Sequence, residues 1–109
     1  MSYWHGGPTI RGDMLLPPTE TGRYRSGQDD PVVYITPTRD LAATYAATCY
    51  GWVYEVEPIG PVIQDPDSVL PAGESLCCGS ARILRRWRLS NAECDARRSV
   101  VQAMSRRIP

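Results

Sequence analysis

The sequence lacks several of the signals by which common protein classes are recognised. None of its apolar runs approaches the ~20 residues that a membrane-spanning helix needs, and the N-terminus has no charged segment followed by an apolar one. The glycine-rich pattern G-x-G-x-x-G of Rossmann domains is also absent. At this length, we therefore expect one cytoplasmic domain, residues 1–109, with no membrane partner.

Metal ligands are scarce as well. The chain has one histidine, His5, and four cysteines, none of them in C-x-x-C spacing. The adjacent Cys77 and Cys78 could hardly pair with each other in unstrained geometry. Because zinc sites are built mainly from sets of His and Cys side chains, we predict no metal site and four reduced thiols.

Lysine is absent, and all 12 basic residues are arginines. The net charge is zero, yet residues 1–80 hold four arginines against ten acids, a balance of −6, and residues 81–109 hold eight against two, a balance of +6. The first interpretation is that the C-terminal part folds back on the acidic part. The alternative is a surface for phosphate or nucleic acid, because the guanidinium group offers phosphate oxygens a planar fork of donors.

The most informative stretch is residues 32–67, where a strand, a helix, a second strand and an acidic turn are predicted in that order. Residues 32–36, VVYIT, are β-branched or aromatic, which favours a strand. A helix with Thr38 as hydroxyl N-cap and Pro37 beside it should follow. Its narrow apolar stripe is predicted at four-residue spacing, at Leu41, Tyr45 and Cys49 with Ala42 and Ala46 beside them.

Gly51 should end that helix. Residues 52–56 alternate as a half-buried strand does, and residues 65–67, DPD, are typical of a turn. Residues 7–31 contain four prolines and four glycines and should be mostly loop, with a short strand at residues 14–16.

Residues 81–89 are predicted to form the last strand, with a change of phase at the Arg85-Arg86 pair. Ser90 and Glu93 form a capping box, which predicts a helix to about Arg106. The residues expected to face the sheet recur every four positions: Ala92, Ala96, Val100 and Met104.

The order of these motifs resembles the rifamycin ADP-ribosyltransferases, small members of the ADP-ribosyltransferase superfamily. The similarity is carried in collinear order by residues 3–6 (YWHG), residues 12–17, the VYIT strand, the Ala-rich helix and the run from VEP to DP. It implies a compact α+β ADP-ribosyltransferase-like fold. Two small, mostly antiparallel sheets would form an NAD cleft, with one helix after Thr38 and another at the C-terminus.

The resemblance also implies roles for residues that have simpler interpretations. His5, with Gly6 beside it, would hold a ribose hydroxyl of NAD, although a lone histidine can merely satisfy its own loop. Tyr34 would stack on the nicotinamide, although it could equally be a core tyrosine. Asp65 would be the catalytic acid, although an isolated DPD is usually only a turn.

Glu57 is the reserve candidate for the acid. Ser75 and Ser80 occupy the place of a motif that usually braces the NAD pocket, but the aromatic residue of that motif is missing, and Gln64 stands where many relatives have an acid. The implied activity is transfer of ADP-ribose from NAD, the co-substrate, to a hydroxyl of a small molecule. A rifamycin-type antibiotic is the expected acceptor, which would give resistance by modification.

Two alternatives of a different class stay open. The chain could be a toxin or phage-type transferase that acts on protein or nucleic acid through its Arg-rich end, or a non-catalytic NAD-binding module. We expect a monomer.

Overall fold

The computed structural model describes residues 2–17, 32–66 and 68–105. In this part of the chain the fold is α+β, as the sequence predicts, with two antiparallel sheets and two helices. The strands are β1 (Tyr3–Gly7), β2 (Met14–Leu15), β3 (Val33–Ile35), β4 (Trp52–Ile59), β5 (Ile63–Gln64), β6 (Leu76–Cys78) and β7 (Ser80–Arg88). The helices are α1 (Arg39–Ala47) and α2 (Asn91–Ser105). Residues 18–31 of the predicted loop and Asp67 lie outside the described residues.

The larger sheet has the strand order β1-β4-β7-β2. Its central strand β4 runs through Pro58 to Ile59, three residues past the predicted end. The pairing of β1 with β4 ends at Tyr3, opposite Val56, and within the described part of the chain no strand pairs with this edge of β4 beyond that point. A proline, which lacks the N–H for a ladder bond, is tolerated at such an edge.

The predicted change of phase in the last strand is confirmed within one residue. Glu55 pairs with Arg85, but Val56 pairs with Ile83, so Leu84 is an extra residue of β7. Such a bulge moves the following side chains to the opposite face. Ala81 and Ile83, which precede the bulge, therefore face the buried side of the sheet, whereas Arg85, which follows it, lies on the opposite face with Glu55.

The smaller sheet has the order β3-β6-β5 and packs on one face of the larger sheet. Strand burial alternates as expected for such packing: Val33 and Ile35 are 3% and 2% exposed, and Tyr34 between them is 39% exposed. The shared core consists of Leu15, Val33, Ile35, Tyr54, Val56, Cys78, Ala81 and Ile83.

Helix α1 packs on the other face of the larger sheet, with α2 beside it. The predicted apolar stripe of α1 is confirmed for Ala42 and Ala46, which are buried, and wrong for Tyr45 and Cys49. Tyr45 is 48% exposed and Cys49 is exposed. The buried side chains are the small ones: Ala42, Ala43, Ala46 and Ala47. The reason is close approach, because a Cβ at Gly6 would collide with the carbonyl oxygen of Ala42, and only small side chains fit in so narrow a space.

Gly51 contributes to the end of α1, but not as the left-handed residue. Tyr50 has that conformation, with φ 51°, and the Gly51 amide donates to the Ala46 carbonyl at 2.8 Å. A Cβ on Gly51 would collide with the carbonyl oxygen of Gly7. Gly51 therefore serves the close contact between the end of α1 and β1.

The cap of α2 is confirmed, whereas its predicted face is wrong. The Glu93 amide donates to Ser90 Oγ at 3.1 Å, but the Glu93 carboxylate accepts from Arg97 instead of returning to the cap. Ala92, Ala96 and Val100 are exposed, the side chain of Met104 lies outside the described part, and the buried residue is Cys94. Two contacts with α1 and its C-cap fix the orientation of α2. Arg97 donates to Asp40 Oδ1 at 3.0 Å, and Arg98 donates to the Thr48 carbonyl at 2.7 Å.

Several ion pairs join the Arg-rich end to the acidic part. They are Glu55 with Arg85 at 3.0 Å, Asp40 with Arg97 at 3.0 Å, Glu57 with Arg82 at 3.6 Å and Asp13 with Arg86 at 3.8 Å. The prediction that the C-terminal part folds back on the acidic part is confirmed for these pairs. Exposed pairs of this kind contribute little to stability individually.

The close contact at Gly6 gives a testable expectation. Gly6→Ala should lower the free energy of unfolding by about 3 kcal/mol, because the backbone of α1 must shift to admit the methyl group. Gly79→Ala is the matched control, since a Cβ there meets open space and its φ is not in the left-handed region. Its effect should stay below about 1 kcal/mol. Urea unfolding measures both, and equal effects would contradict the packing described.

Candidate functional site

The two sheets meet at one point, where β1 and the end of β3 exchange a pair of backbone hydrogen bonds. The Trp4 amide donates to the Thr36 carbonyl at 2.8 Å, and the Thr36 amide donates back at 2.9 Å. This bridge brings His5 beside β3, where its Nδ1 lies 2.7 Å from the Tyr34 carbonyl oxygen. A carbonyl only accepts, so Nδ1 carries a proton and donates it to Tyr34.

The His5 imidazole is neutral at pH 7. Burial lowers its pKa from the ordinary value, because the low-dielectric surroundings disfavour the charged ring, and the bond to the Tyr34 carbonyl only partly offsets this. In the neutral tautomer with Nδ1 protonated, Nε2 is an acceptor. No hydrogen-bond partner of Nε2 is found among the described residues.

Tyr34 is not a core tyrosine. Its neighbours Val33 and Ile35 supply the buried face of β3, and Tyr34 projects from the opposite, outer face of the smaller sheet with 39% of its surface exposed. A flat, exposed aromatic ring of this kind can stack against a planar ligand.

Asp65 directly follows β5 and extends its pairing with β6 by one residue. The Asp65 amide donates to the Ser75 carbonyl at 3.0 Å, and Ser75 Oγ donates to Asp65 Oδ2, also at 3.0 Å. Ser75 is only 8% exposed. DPD is therefore more than an isolated turn, because its first carboxylate has a fixed partner.

The strand register shows that Tyr34, Ser75 and Asp65 share one face. Tyr34 lies opposite Cys77, which lies opposite Ile63, and side chains two residues apart on a strand point to the same side. Two strand spacings and one two-residue step separate the Cα atoms of Tyr34 and Asp65 by about 12 Å. One small molecule can span such a distance.

The structure places three other predicted site residues elsewhere. A side chain at position 6 would point at α1, so the close approach of this helix explains why the residue is glycine. Ser80 begins β7 opposite Ile59, beyond the end of β6 that is remote from Ser75. Glu57 alternates with Val56, so it faces the helical side of the larger sheet, where it pairs with Arg82 at 3.6 Å. The geometry thus favours Asp65 over Glu57 as the acid near Tyr34.

The predicted hydroxyl cap by Thr38 is wrong, and sequence reasoning missed the contact that Thr38 makes with Glu74. Thr38 occupies the N-cap of α1, but its side chain makes no cap bond. Its Oγ1 donates instead to Glu74 Oε2 at 2.9 Å, while its amide donates to Thr36 Oγ1 at 3.1 Å. A contact between residues 36 positions apart leaves no local pattern in the sequence.

Tyr54 and Arg86 were also missed, and they fix the loop after β1. The Tyr54 hydroxyl donates to the Pro8 carbonyl and accepts from the Ile10 amide, both at 2.8 Å. Arg86 donates to the carbonyls of Ile10 at 2.8 Å and Gly12 at 2.6 Å. The start of the loop predicted for residues 7–31 is thereby tied to β4 and β7.

Tyr54 also lies beside His5, with ring centroids 6.1 Å apart. The alternation of residue types in residues 52–56 predicts one buried face, whereas Val53 and Tyr54 on opposite faces are both buried, at 0% and 1% exposed. It does not predict which loop atoms the hydroxyl contacts.

An open groove of about 470 Å³ lies between α1 and α2, away from His5. Its charged groups bond to one another, since Arg97 contacts both Asp40 and Glu93. We therefore place the candidate site at the junction of the sheets rather than in this groove.

Within residues 2–17, 32–66 and 68–105, no cluster of three or more His, Cys, Asp or Glu side chains is arranged to hold a metal ion. Neither helix of the described part has the length and apolar character needed to cross a membrane. Neither a protein-family model nor a curated protein matches the chain. The chemistry of the site must therefore be argued from its geometry.

The lowered pKa of His5 predicts a pH dependence of stability. The unfolded chain titrates near the ordinary value of about 6.5, so below that pH the unfolded state binds a proton more readily than the folded one. The contribution of His5 to the free energy of unfolding should then be fully present above about pH 6.5, and it should be lost as the pH falls through the pKa of the folded state. Urea unfolding at a series of pH values between 7.5 and 5 measures this loss.

His5→Asn is the control, because asparagine can still donate to the Tyr34 carbonyl and does not titrate. The loss of stability between pH 7.5 and 5 should be smaller in this variant. The same loss in both proteins would show that other groups cause it.

Proposed function

We propose that this protein is an NAD-dependent ADP-ribosyltransferase that moves ADP-ribose from NAD to a hydroxyl of a small molecule and releases nicotinamide. The observation that supports it is that contacts and strand register link His5 to Tyr34 and Tyr34 to Asp65. The bond from His5 to the Tyr34 carbonyl and the shared face of Tyr34 and Asp65 relate the three residues.

Each of the three residues offers a group that this reaction needs. NAD supplies the ribosyl group, whose N-glycosidic bond breaks with the bonding electrons leaving on nicotinamide. His5 Nε2 can accept from a ribose hydroxyl and so fix the sugar, because this nitrogen is unprotonated in the neutral ring. The exposed ring of Tyr34 can stack on the nicotinamide and exclude water from the bond that breaks.

Asp65 acts on the reacting carbon in this proposal. Positive charge develops there as the bond breaks, as it does in glycoside cleavage, and a preorganised carboxylate is most effective where such charge develops. The same carboxylate can accept the proton of the attacking hydroxyl while the new C–O bond forms. One acid can thus serve both halves of the transfer.

The outer face of the smaller sheet favours an apolar acceptor. Tyr34, Cys77 and Ile63 form one cross-strand row, in which Tyr34 is 39% and Ile63 56% exposed, while Cys77 between them is buried. Asp65 lies on the same face, next to this row. A flat, largely apolar molecule with a hydroxyl group, such as a rifamycin-type antibiotic, suits an apolar surface beside a single acid.

A protein or nucleic acid acceptor is the second candidate, and one observation favours it. Trp4 and Trp87 lie with ring centroids 5.8 Å apart, and the Arg39 guanidinium is 5.7 Å and 5.5 Å from their centroids. Such a group can stack on nucleobases. Against it, Arg82 and Arg85 on the same side of the larger sheet are paired with Glu57 and Glu55.

A non-catalytic NAD-binding module would bind NAD without releasing nicotinamide.

The central prediction concerns Asp65. Asp65→Asn should keep its affinity for NAD yet lose transfer by roughly 10²-fold or more, because the carboxylate matters chiefly when positive charge develops. Glu57→Gln, which alters an exposed acid on the other side of the larger sheet, is the control and should transfer at the wild-type rate. Nicotinamide release and the mass gain of rifampin measure turnover, and calorimetry measures NAD affinity.

The opposite pattern would overturn the assignment. If Asp65→Asn transfers normally and Glu57→Gln does not, the catalytic acid is Glu57. A mass gain on RNA or protein, with none on rifampin, would select the second candidate.

A further inference from the structure

We propose that Ser75 is a positioning residue that orients the Asp65 carboxylate, and that the bond between Thr38 and Glu74 holds this pair in place relative to Tyr34. The inference rests on the proposed function, because it assigns Asp65 the role of catalytic acid. It changes the role of Ser75, which the resemblance places in the NAD pocket.

The first contact fixes the carboxylate itself. Ser75 Oγ donates to Asp65 Oδ2 at 3.0 Å, and the backbone of the same two residues is joined by a second bond of 3.0 Å. A side chain held at one oxygen and at its own backbone has little freedom to rotate. Because Ser75 is 8% exposed, water competes poorly for this hydroxyl, and the carboxylate is already oriented before any substrate binds.

The second contact fixes the segment that carries the pair. Glu74 directly precedes Ser75, and its Oε2 accepts from Thr38 Oγ1 at 2.9 Å. Thr38 follows Tyr34 by four residues, so the bond between Thr38 and Glu74 links the segment that carries Tyr34 to the segment that positions Asp65. It is not a local capping contact, since the hydroxyl of an N-cap threonine ordinarily accepts from the first turn of its helix and Thr38 makes no such bond.

The two contacts complete a continuous path across the site. His5 bonds to the Tyr34 carbonyl, and the chain then runs from Tyr34 in β3 to Thr38. Thr38 bonds to Glu74, and the next residue, Ser75, bonds to Asp65. Catalytic geometry of this kind must be held within a fraction of an ångström. Asp65 lies outside the regular strands, where such support is most needed.

A double-mutant cycle tests the first contact. Ser75→Ala, Asp65→Asn and the double variant are compared by nicotinamide release from NAD with rifampin as acceptor. We expect Ser75→Ala to lower kcat about tenfold or more with an unchanged KM for NAD, the scale of one lost bond to a charged group. In the Asp65→Asn background the same change should have no further effect, because Ser75 acts only through that carboxylate.

The matched control is Ser68→Ala. Ser68 lies in the same connection between β5 and β6, and its Oγ accepts from the Leu70 amide at 3.1 Å, so its loss removes a hydroxyl there without touching the Asp65 carboxylate. Its kcat should equal that of the wild type. An equal loss in Ser68→Ala and Ser75→Ala would overturn the proposal, because it would show a general effect on the connection.

The second contact is tested separately, by Thr38→Val and Thr38→Ser. Thr38→Val removes the donor to Glu74 and should lower kcat with little change in KM, whereas Thr38→Ser keeps the hydroxyl and should restore kcat. This pair also provides a test if Ser75→Ala does not fold.

Failure of the inference is distinguishable from failure of the proposed function. If Asp65→Asn loses transfer while Ser75→Ala and Thr38→Val keep the wild-type kcat, the positioning role is wrong and the function stands. If the losses of kcat in Ser75→Ala and Asp65→Asn add up in the double variant, the positioning role is again wrong and the function stands. If the wild-type protein releases no nicotinamide from NAD, both proposals are wrong.

Discussion

The pair of hydrogen bonds between Trp4 and Thr36 is the contact on which the candidate site depends. It joins β1 of the larger sheet to the end of β3 in the smaller sheet. The two sheets otherwise contact each other through apolar packing, so this pair of bonds forms a fixed seam between them. His5 follows Trp4, and Tyr34 precedes Thr36 by two residues. The bond between the His5 imidazole and the Tyr34 carbonyl is a direct consequence of that seam.

Packing on the other side of β1 holds this seam in place. Gly6 and Gly51 have no side chains, so the backbones of α1 and β1 approach closely, and four alanines fill the space. The same strand therefore has an alanine-packed helix on one face and the histidine on the other. Because close-packed interiors transmit small displacements, a change at Gly6 should be felt at His5.

Local patterns predicted much of the fold, and long-range contacts account for what they missed. The α+β class, the strand at Tyr34, the helix after Thr38 and the cap at Ser90 follow from β-branched residues, hydroxyl caps and alternation. The predicted face of α1 was right for Ala42 and Ala46 but wrong for Tyr45, because the limited space above Gly6 admits only small side chains. The bond from Thr38 to Glu74 and the pairing of Ser75 with Asp65 depend on strand register, which the sequence does not reveal locally.

The central claim is that the junction of the sheets, and not the groove between the helices, binds NAD. The most direct test is a ¹H–¹⁵N NMR titration of the wild-type protein with NAD. The account predicts that the largest shift changes cluster at the backbone amides of His5, Tyr34, Asp65 and Ser75, with little change at Thr44 and Arg97 in the groove between α1 and α2. Changes centred on that groove, or none at saturating NAD, would contradict it.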